Sequence, residues 1–144
     1  MAFSSSAAVP APQTSNPAFG GWAIEARLRI LLVEDDAVIT ALLAELLTEV
    51  GHTVCGSART EMQAVDAAAR HGPDLMIVDV QLQAGSGVWA MESILRRGAM
   101  PHIFMTAGSR QAIPANSVVL FKPFGLQGLR DAMERLAQKT RAQV

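Results

Sequence analysis

Short apolar runs alternate with stretches of helical period from Leu28 to Leu136, and this alternation limits the fold more than any other feature. Ile30 to Val33 reads as a strand. Ile39, Leu42, Leu43, Leu46, Leu47 and Val50 then recur at helical spacing, and Gly51 stops the helix. His52 to Gly56 is a second, weaker strand, and Thr60 to Ala69 is an Ala-rich helix. "DLMIVD", Asp74 to Asp79, is apolar on both faces, as in a covered parallel sheet. Val88 to Leu95 is helical, "HIFMT" and "VVLF" are strands, and Leu126, Leu129, Met133 and Leu136 mark a last helix. The alternation predicts a doubly wound α/β domain with a five-stranded parallel sheet.

That architecture gives a meaning to the acids that follow the first strand. In open α/β sheets ligands bind beyond the carboxyl ends of the strands. Glu34 and Asp35 end the first strand, Asp79 the third, Thr106 the fourth and Lys122 the fifth, so residues distant in sequence gather at one rim. Clustered carboxylates repel, which raises their pKa values. A divalent cation relieves the repulsion, and oxygen-only ligands with positions left for water suit magnesium better than zinc. Asp36 reads instead as the cap of the first helix.

The 144 residues are enough for one domain and its core. The net charge of -1 carries no basic excess, so neither nucleic acid nor an anionic membrane is an expected partner. No apolar run approaches the roughly 20 residues of a membrane-spanning helix. Cys55 is alone, which excludes an internal disulfide and fits a reducing, cytoplasmic setting. His52, His71 and His102 show no metal-ligand spacing and read as core or surface residues. Residues 1–26 are rich in Ser, Ala, Pro and Gly without a sustained period, so a flexible tail is expected before a domain over 27–144. Trp22 and Ile24 are apolar enough to pack on the domain edge.

"ILLVEDD", "DLMIVDVQL", "MTA" and "LFKPF" together resemble the receiver domain of bacterial two-component response regulators. Each piece alone is weak, but four in this order, each at a strand end, are specific. The resemblance implies a flavodoxin-like sheet of order 2-1-3-4-5 and a domain that takes a phosphoryl group from a histidine kinase or histidine phosphotransfer protein. Asp79 matches the phosphoacceptor. Glu34 and Asp35 match the acidic pair that organises magnesium, and the backbone carbonyl of Gln81 would complete that shell. Thr106 matches the hydroxyl residue that contacts the phosphoryl group, and Lys122 the lysine before a proline. Gln81 and Gly108 would flank the approach of a hydrolysing water.

"MPHIFMTAGSRQAIPANSVVLFKPF" is also similar to a subgroup of short single-domain regulators with a Pro-Phe-x-Phe-Ala-Thr-Gly motif, which Pro101, Phe104, Thr106 and Gly108 fit. His102, Met105 and Ala107 depart from it. Thr106 to Lys122 is shorter than in ordinary receivers by about six residues, more than a helical turn. "SRQAIPANS" contains Pro114 and little helical period, so the fourth helix is expected to be short or missing. Where many receivers carry a switching aromatic there is Val119, and where they carry a proline, four residues past the acceptor, there is Gln83. Gly85 and Gly87 predict a loose loop after Asp79, and the loop Ala107 to Ser117 reads as flexible. Trp89 reads as helix packing, and Arg96 with Arg97 as a solvated face.

Few residues follow the last helix, so a stand-alone, monomeric receiver signalling through a protein partner is expected. The alternatives are a phosphate sink for a kinase, a pseudo-receiver that binds a partner constitutively, and an aspartate-nucleophile phosphatase. Loss of the acceptor or lysine would mark the pseudo-receiver, and both are present. Such phosphatases usually place the nucleophile two residues before a second acid after strand one, whereas Glu34 and Asp35 are adjacent.

Overall fold

In the computed structural model, which describes residues 26–142, β1 (Arg29–Val33) leads into α1 (Ala37–Glu49), and β2 (Thr53–Ala58) into α2 (Glu61–His71). β3 (Leu75–Asp79) leads into α3 (Gly87–Leu95) and β4 (His102–Thr106) into β5 (Val118–Phe121), after which α4 (Leu126–Ala142) closes the described chain. All strand pairs are parallel and the order is β2-β1-β3-β4-β5, the flavodoxin-like arrangement expected from the sequence. Residues 1–25 of the expected N-terminal tail, with Trp22 and Ile24, lie outside the described residues, while Ala26, its last residue, packs half-buried against the core.

Alternation along the strands sorts the core into two layers, because successive side chains point to opposite faces of a sheet. Ile30 and Leu32 of β1 face one layer, with Leu43 and Leu47 of α1 and Leu129, Met133 and Leu136 of α4. Leu31 and Val33 face the other, with Ala64, Ala67 and Ala68 of α2 and Met91 and Ile94 of α3. Every residue of β3 is buried, as its unbroken apolar run requires.

The helix starts follow local chemistry. Asp36 caps α1, its Oδ1 accepting from Val38 N–H at 2.8 Å and more distantly from Ile39 N–H. Thr60 caps α2 by accepting from Gln63 N–H, and Gly72, in the left-handed region at φ 55°, ends that helix. Arg29 then donates to the carbonyls of His71 and Gly72, two acceptors left open at the end of α2.

Three local expectations change. Leu42 of the α1 stripe is 42% exposed, because only Leu43 and Leu47 of that helix point fully into the core. Trp89 does not pack between helices; it is 67% exposed, since the buried stripe of α3 runs through Val88, Ala90, Met91 and Ile94. No α-helix joins β4 to β5: a 3-10 turn at Arg110–Ala112 takes its place, as the short spacing predicts. That segment is nonetheless seated rather than loose. Ile113 is buried against the α2–α3 layer, Arg110 donates to the carbonyls of Ala115 and Ser117, and Lys139 donates to Asn116 at 2.7 Å. Among the described residues no helix is long and apolar enough to cross a membrane.

Candidate functional site

Register brings the strand ends together. Val33 of β1 lies opposite Val78 of β3, so Glu34 falls level with Asp79. Asp79 lies opposite Met105, one residue short of Thr106, and Thr106 lies opposite Phe121, one residue short of Lys122. Each step along the rim thus adds one of the polar residues picked out in the sequence.

Lys122 Nζ donates to Asp79 Oδ2 at 2.7 Å and to Glu34 Oε1 at 2.9 Å. Both acids are nearly inaccessible, at 5% and 2% exposure, so these are buried ion pairs. Burial pushes the Glu34 carboxyl up from its ordinary 4.5 to about 7, with the Asp79 carboxylate adding to the rise. The Lys122 ammonium and the N–H of Asp36 pull the other way without cancelling it. For Lys122 itself burial works to lower the pKa, and the hydrogen bonds to Asp79 and Glu34 outweigh it, so the ammonium form is favoured.

Asp35 stands outside that ion pair. One carboxylate oxygen from each of Glu34, Asp35 and Asp79 lies within 4.8 Å of the others. An all-oxygen, anionic donor set of this kind fits a hard divalent cation. Thr106 is buried, and its Oγ1 accepts from Gly108 N–H at 3.0 Å, which leaves the hydroxyl proton free to donate. The structure brings Glu34, Asp35, Asp79, Thr106 and Lys122 to one rim, with the backbone N–H of Gln81 donating to Asp79 Oδ1 at 3.0 Å. His52 and His102 remain apart, both held below their ordinary pKa by burial: His52 Nδ1 accepts from Leu28 N–H, and His102 lies edge-on to Phe104.

The loop after β3 overturns an expectation. Gly85 and Gly87 do not loosen it; they let it pass close to its neighbours. A side chain on Gly87 would run into the carbonyl oxygen of Asp79 and lie 2.7 Å from Val78 Cγ1. Gly85, at φ 99°, lies against the Glu61 side chain. Glu61 N–H donates to Ala84 at 3.0 Å, Glu61 Oε1 accepts from Ser86 N–H at 3.1 Å, and Gly87 N–H donates to Val80 at 2.9 Å. Gly87→Ala should therefore lower stability by about 2 kcal/mol through overpacking against backbone, measured by urea unfolding. A loss within a few tenths would show that the loop shifts freely.

Two contacts at the site had no signal in the sequence. Arg59 donates to the backbone carbonyl of Asp35 at 3.0 Å, and Gln83 N–H donates to Asp35 Oδ2 at 2.6 Å. An arginine before a helix is ordinary, and a main-chain donor leaves no mark on residue type.

An open parallel sheet of this order, with acids at the carboxyl ends of β1 and β3 and a lysine after β5, is the arrangement of a receiver-type signalling domain. The response regulator receiver domain family matches residues 30–134, and the chain belongs to that family. It is 33% identical over 119 residues to the transcriptional regulatory protein PdtaR of Mycobacterium tuberculosis, covering 78% of this chain and 58% of that protein. It is 36% identical over 101 residues to the phyllosphere-induced regulator PhyR of Methylorubrum extorquens, covering 66% of this chain and 38% of that one. The chain thus spans roughly two to three fifths of the length of these curated relatives. The receiver domain of PhyR from Erythrobacter litoralis superposes with a TM-score of 0.70 at 31% identity, covering 76% of this chain and 89% of that one.

Proposed function

We propose that the domain, over residues 27–144, accepts a phosphoryl group on Asp79 from a histidine kinase or histidine phosphotransfer protein and passes the signal on by protein contact. The observation that carries this is the Lys122 ammonium 2.7 Å from Asp79 Oδ2 in a nearly inaccessible acidic rim. A carboxylate attacks an anionic phosphoryl group poorly unless charge is neutralised around it. Asp79 forms the new O–P bond as the N–P bond of the donor phosphohistidine breaks, and the imidazole leaves with its electron pair. Lys122 takes one phosphoryl oxygen in exchange for part of its present pairing. Thr106 donates its free hydroxyl proton to another. Glu34, Asp35, Asp79 and the carbonyl of Gln81 are the residues that would hold magnesium, which supplies further charge neutralisation when bound. The acyl phosphate is open to water between Gln81 and Gly108, so the group is lost again by self-catalysed hydrolysis, and no separate substrate is turned over. The acidic rim and the absence of a basic excess favour a cytoplasmic protein partner over nucleic acid or membrane.

Phosphotransfer profiling against the histidine kinases of the source organism tests this: one kinase should label the protein within its own turnover time. Failure with every kinase and with small phosphodonors would remove the assignment. Phosphorylation should also leave the protein monomeric. The segment between β4 and β5 holds only a 3-10 turn, and Val119, buried in β5, has no ring to swing. A face missing one element does not make a symmetric contact. Sedimentation should show a monomer, with amide-exchange changes concentrated in residues 80–86 and 107–117. A phosphorylation-dependent dimer protected along α4 would show that the ordinary output face survives.

A further inference from the structure

Each carboxylate of the acidic rim accepts a main-chain N–H, but not from the same kind of place. Glu34 Oε2 accepts from Asp36 N–H at 3.0 Å, and Asp79 Oδ1 from Gln81 N–H at 3.0 Å. Both donors lie two residues downstream, a local turn that the backbone makes by itself. Asp35 does not make that local turn to Ala37 N–H, two residues downstream at the start of α1. Its donor is Gln83 N–H, 48 residues away at 2.6 Å. Nor does Lys122 help, since its ammonium is shared between Glu34 and Asp79.

We infer that the main-chain N–H of Gln83 is the positioning group for Asp35, turning its carboxylate toward Glu34 and Asp79 so that the three converge as metal ligands. The inference rests on the metal-site assignment above and adds to it the element that sets the third ligand. A charge-assisted hydrogen bond of this length holds a carboxylate in one rotamer. The donor is itself fixed from a distance. Glu61 at the start of α2 holds Ala84 and Ser86 on one side of the loop, and Val80 holds Gly87 on the other. Proline, which the resemblance to receivers leads one to expect at position 83, has no N–H. The departure from that pattern is therefore a gained donor, and the loop after β3 becomes part of the metal site.

Because the donor is main chain, the test separates side chain from N–H. Magnesium titration by calorimetry, without any phosphodonor, should give the same affinity for wild type and Gln83→Ala. Gln83→Pro should bind about tenfold more weakly, the usual effect of removing a group that orients a ligand. Its denaturant midpoint without magnesium, compared with that of Gln83→Ala, separates loss of fold from loss of orientation. In wild-type protein the Gln83 amide proton should exchange slowly with solvent, and Asp35→Ala should speed its exchange and move its resonance upfield. Equal magnesium affinity in Gln83→Pro and wild type, or a Gln83 amide indifferent to Asp35→Ala, would overturn the inference alone. Wild-type protein that binds no magnesium would overturn the metal-site assignment and this inference with it.

Discussion

Asp79→Asn protein incubated with a small phosphodonor and magnesium should gain no phosphoryl group, while wild-type protein gains one. The loss is expected to be complete, because the proposed acceptor is Asp79 alone, whose Oδ2 lies 2.7 Å from the Lys122 ammonium at the end of β3. The variant also separates chemistry from folding. Asparagine keeps one oxygen, which can accept from Lys122 or from Gln81 N–H but not at both positions, and it removes one charge from a rim where the Glu34 carboxyl is pushed up to about 7. Glu34 then pairs with Lys122 alone and its pKa should fall, so Asp79→Asn should unfold at a denaturant concentration no lower than wild type. Intact-mass spectrometry beside urea unfolding reads both outcomes. A phosphoryl group that persists on Asp79→Asn would place the acceptor elsewhere.

Lys122→Ala should lose about 3 kcal/mol of stability at pH 8 and markedly less at pH 5. Removing one partner of a buried ion pair leaves the other charge uncompensated. Here it leaves two carboxylates, Glu34 and Asp79, without their shared ammonium. The pH dependence follows from Glu34. Its folded pKa is raised from 4.5 to about 7, so its contribution to stability is fully present below about 4.5 and is lost as pH rises through about 7. Without Lys122 its largest opposing influence is gone and the rise is steeper, so low pH rescues the variant by protonating Glu34. Magnesium should rescue part of the loss at pH 8, since a cation replaces the missing charge. Urea unfolding at the two pH values, with and without magnesium, measures this. An equal loss at pH 5 and pH 8 would mean that Lys122 contributes packing and not charge.

The same ion pair sets a condition on metal binding. A cation that enters the rim competes with protons on Glu34 and with the Lys122 ammonium, so magnesium affinity should rise between pH 6 and pH 8.

How much of this was legible in the sequence depends on which interactions leave a mark on residue type. The period of the apolar positions separated strands from helices, because burial selects side chains directly and every second or every third to fourth residue reports on it. The acids after β1 and at the end of β3, Thr106 at the end of β4 and Lys122 after β5 were visible because a polar residue where a buried strand ends is conspicuous. Asp36 was recognisable as a cap for the same local reason. The shortened connection between β4 and β5 could be counted, and the missing helix followed.

Other features were decided by tertiary structure. The stripe of α3 faces the sheet through Val88, Ala90, Met91 and Ile94, and only the docking angle of that helix leaves Trp89 outside. Gly85 and Gly87 look alike in sequence to glycines of a slack loop, yet they are small because Glu61 and the backbone of Asp79 pass so close. The segment between β4 and β5 looked flexible by composition, and Arg110, Lys139 and Ile113 seat it through contacts whose partners lie elsewhere in the chain. The meeting of Asp35 with Gln83 belongs with these. A backbone N–H is present at every residue but proline, so its use carries no compositional signal; only the distance between two loops determines whether it acts. The residue types of β1, β3, β4 and β5 and the polar residues at their ends determined which groups reach the rim, since those depend on local order along the chain. Which oxygen faces which donor at that rim was settled by the packing of α2 and the loop after β3, because orientation is a property of neighbours far apart in sequence.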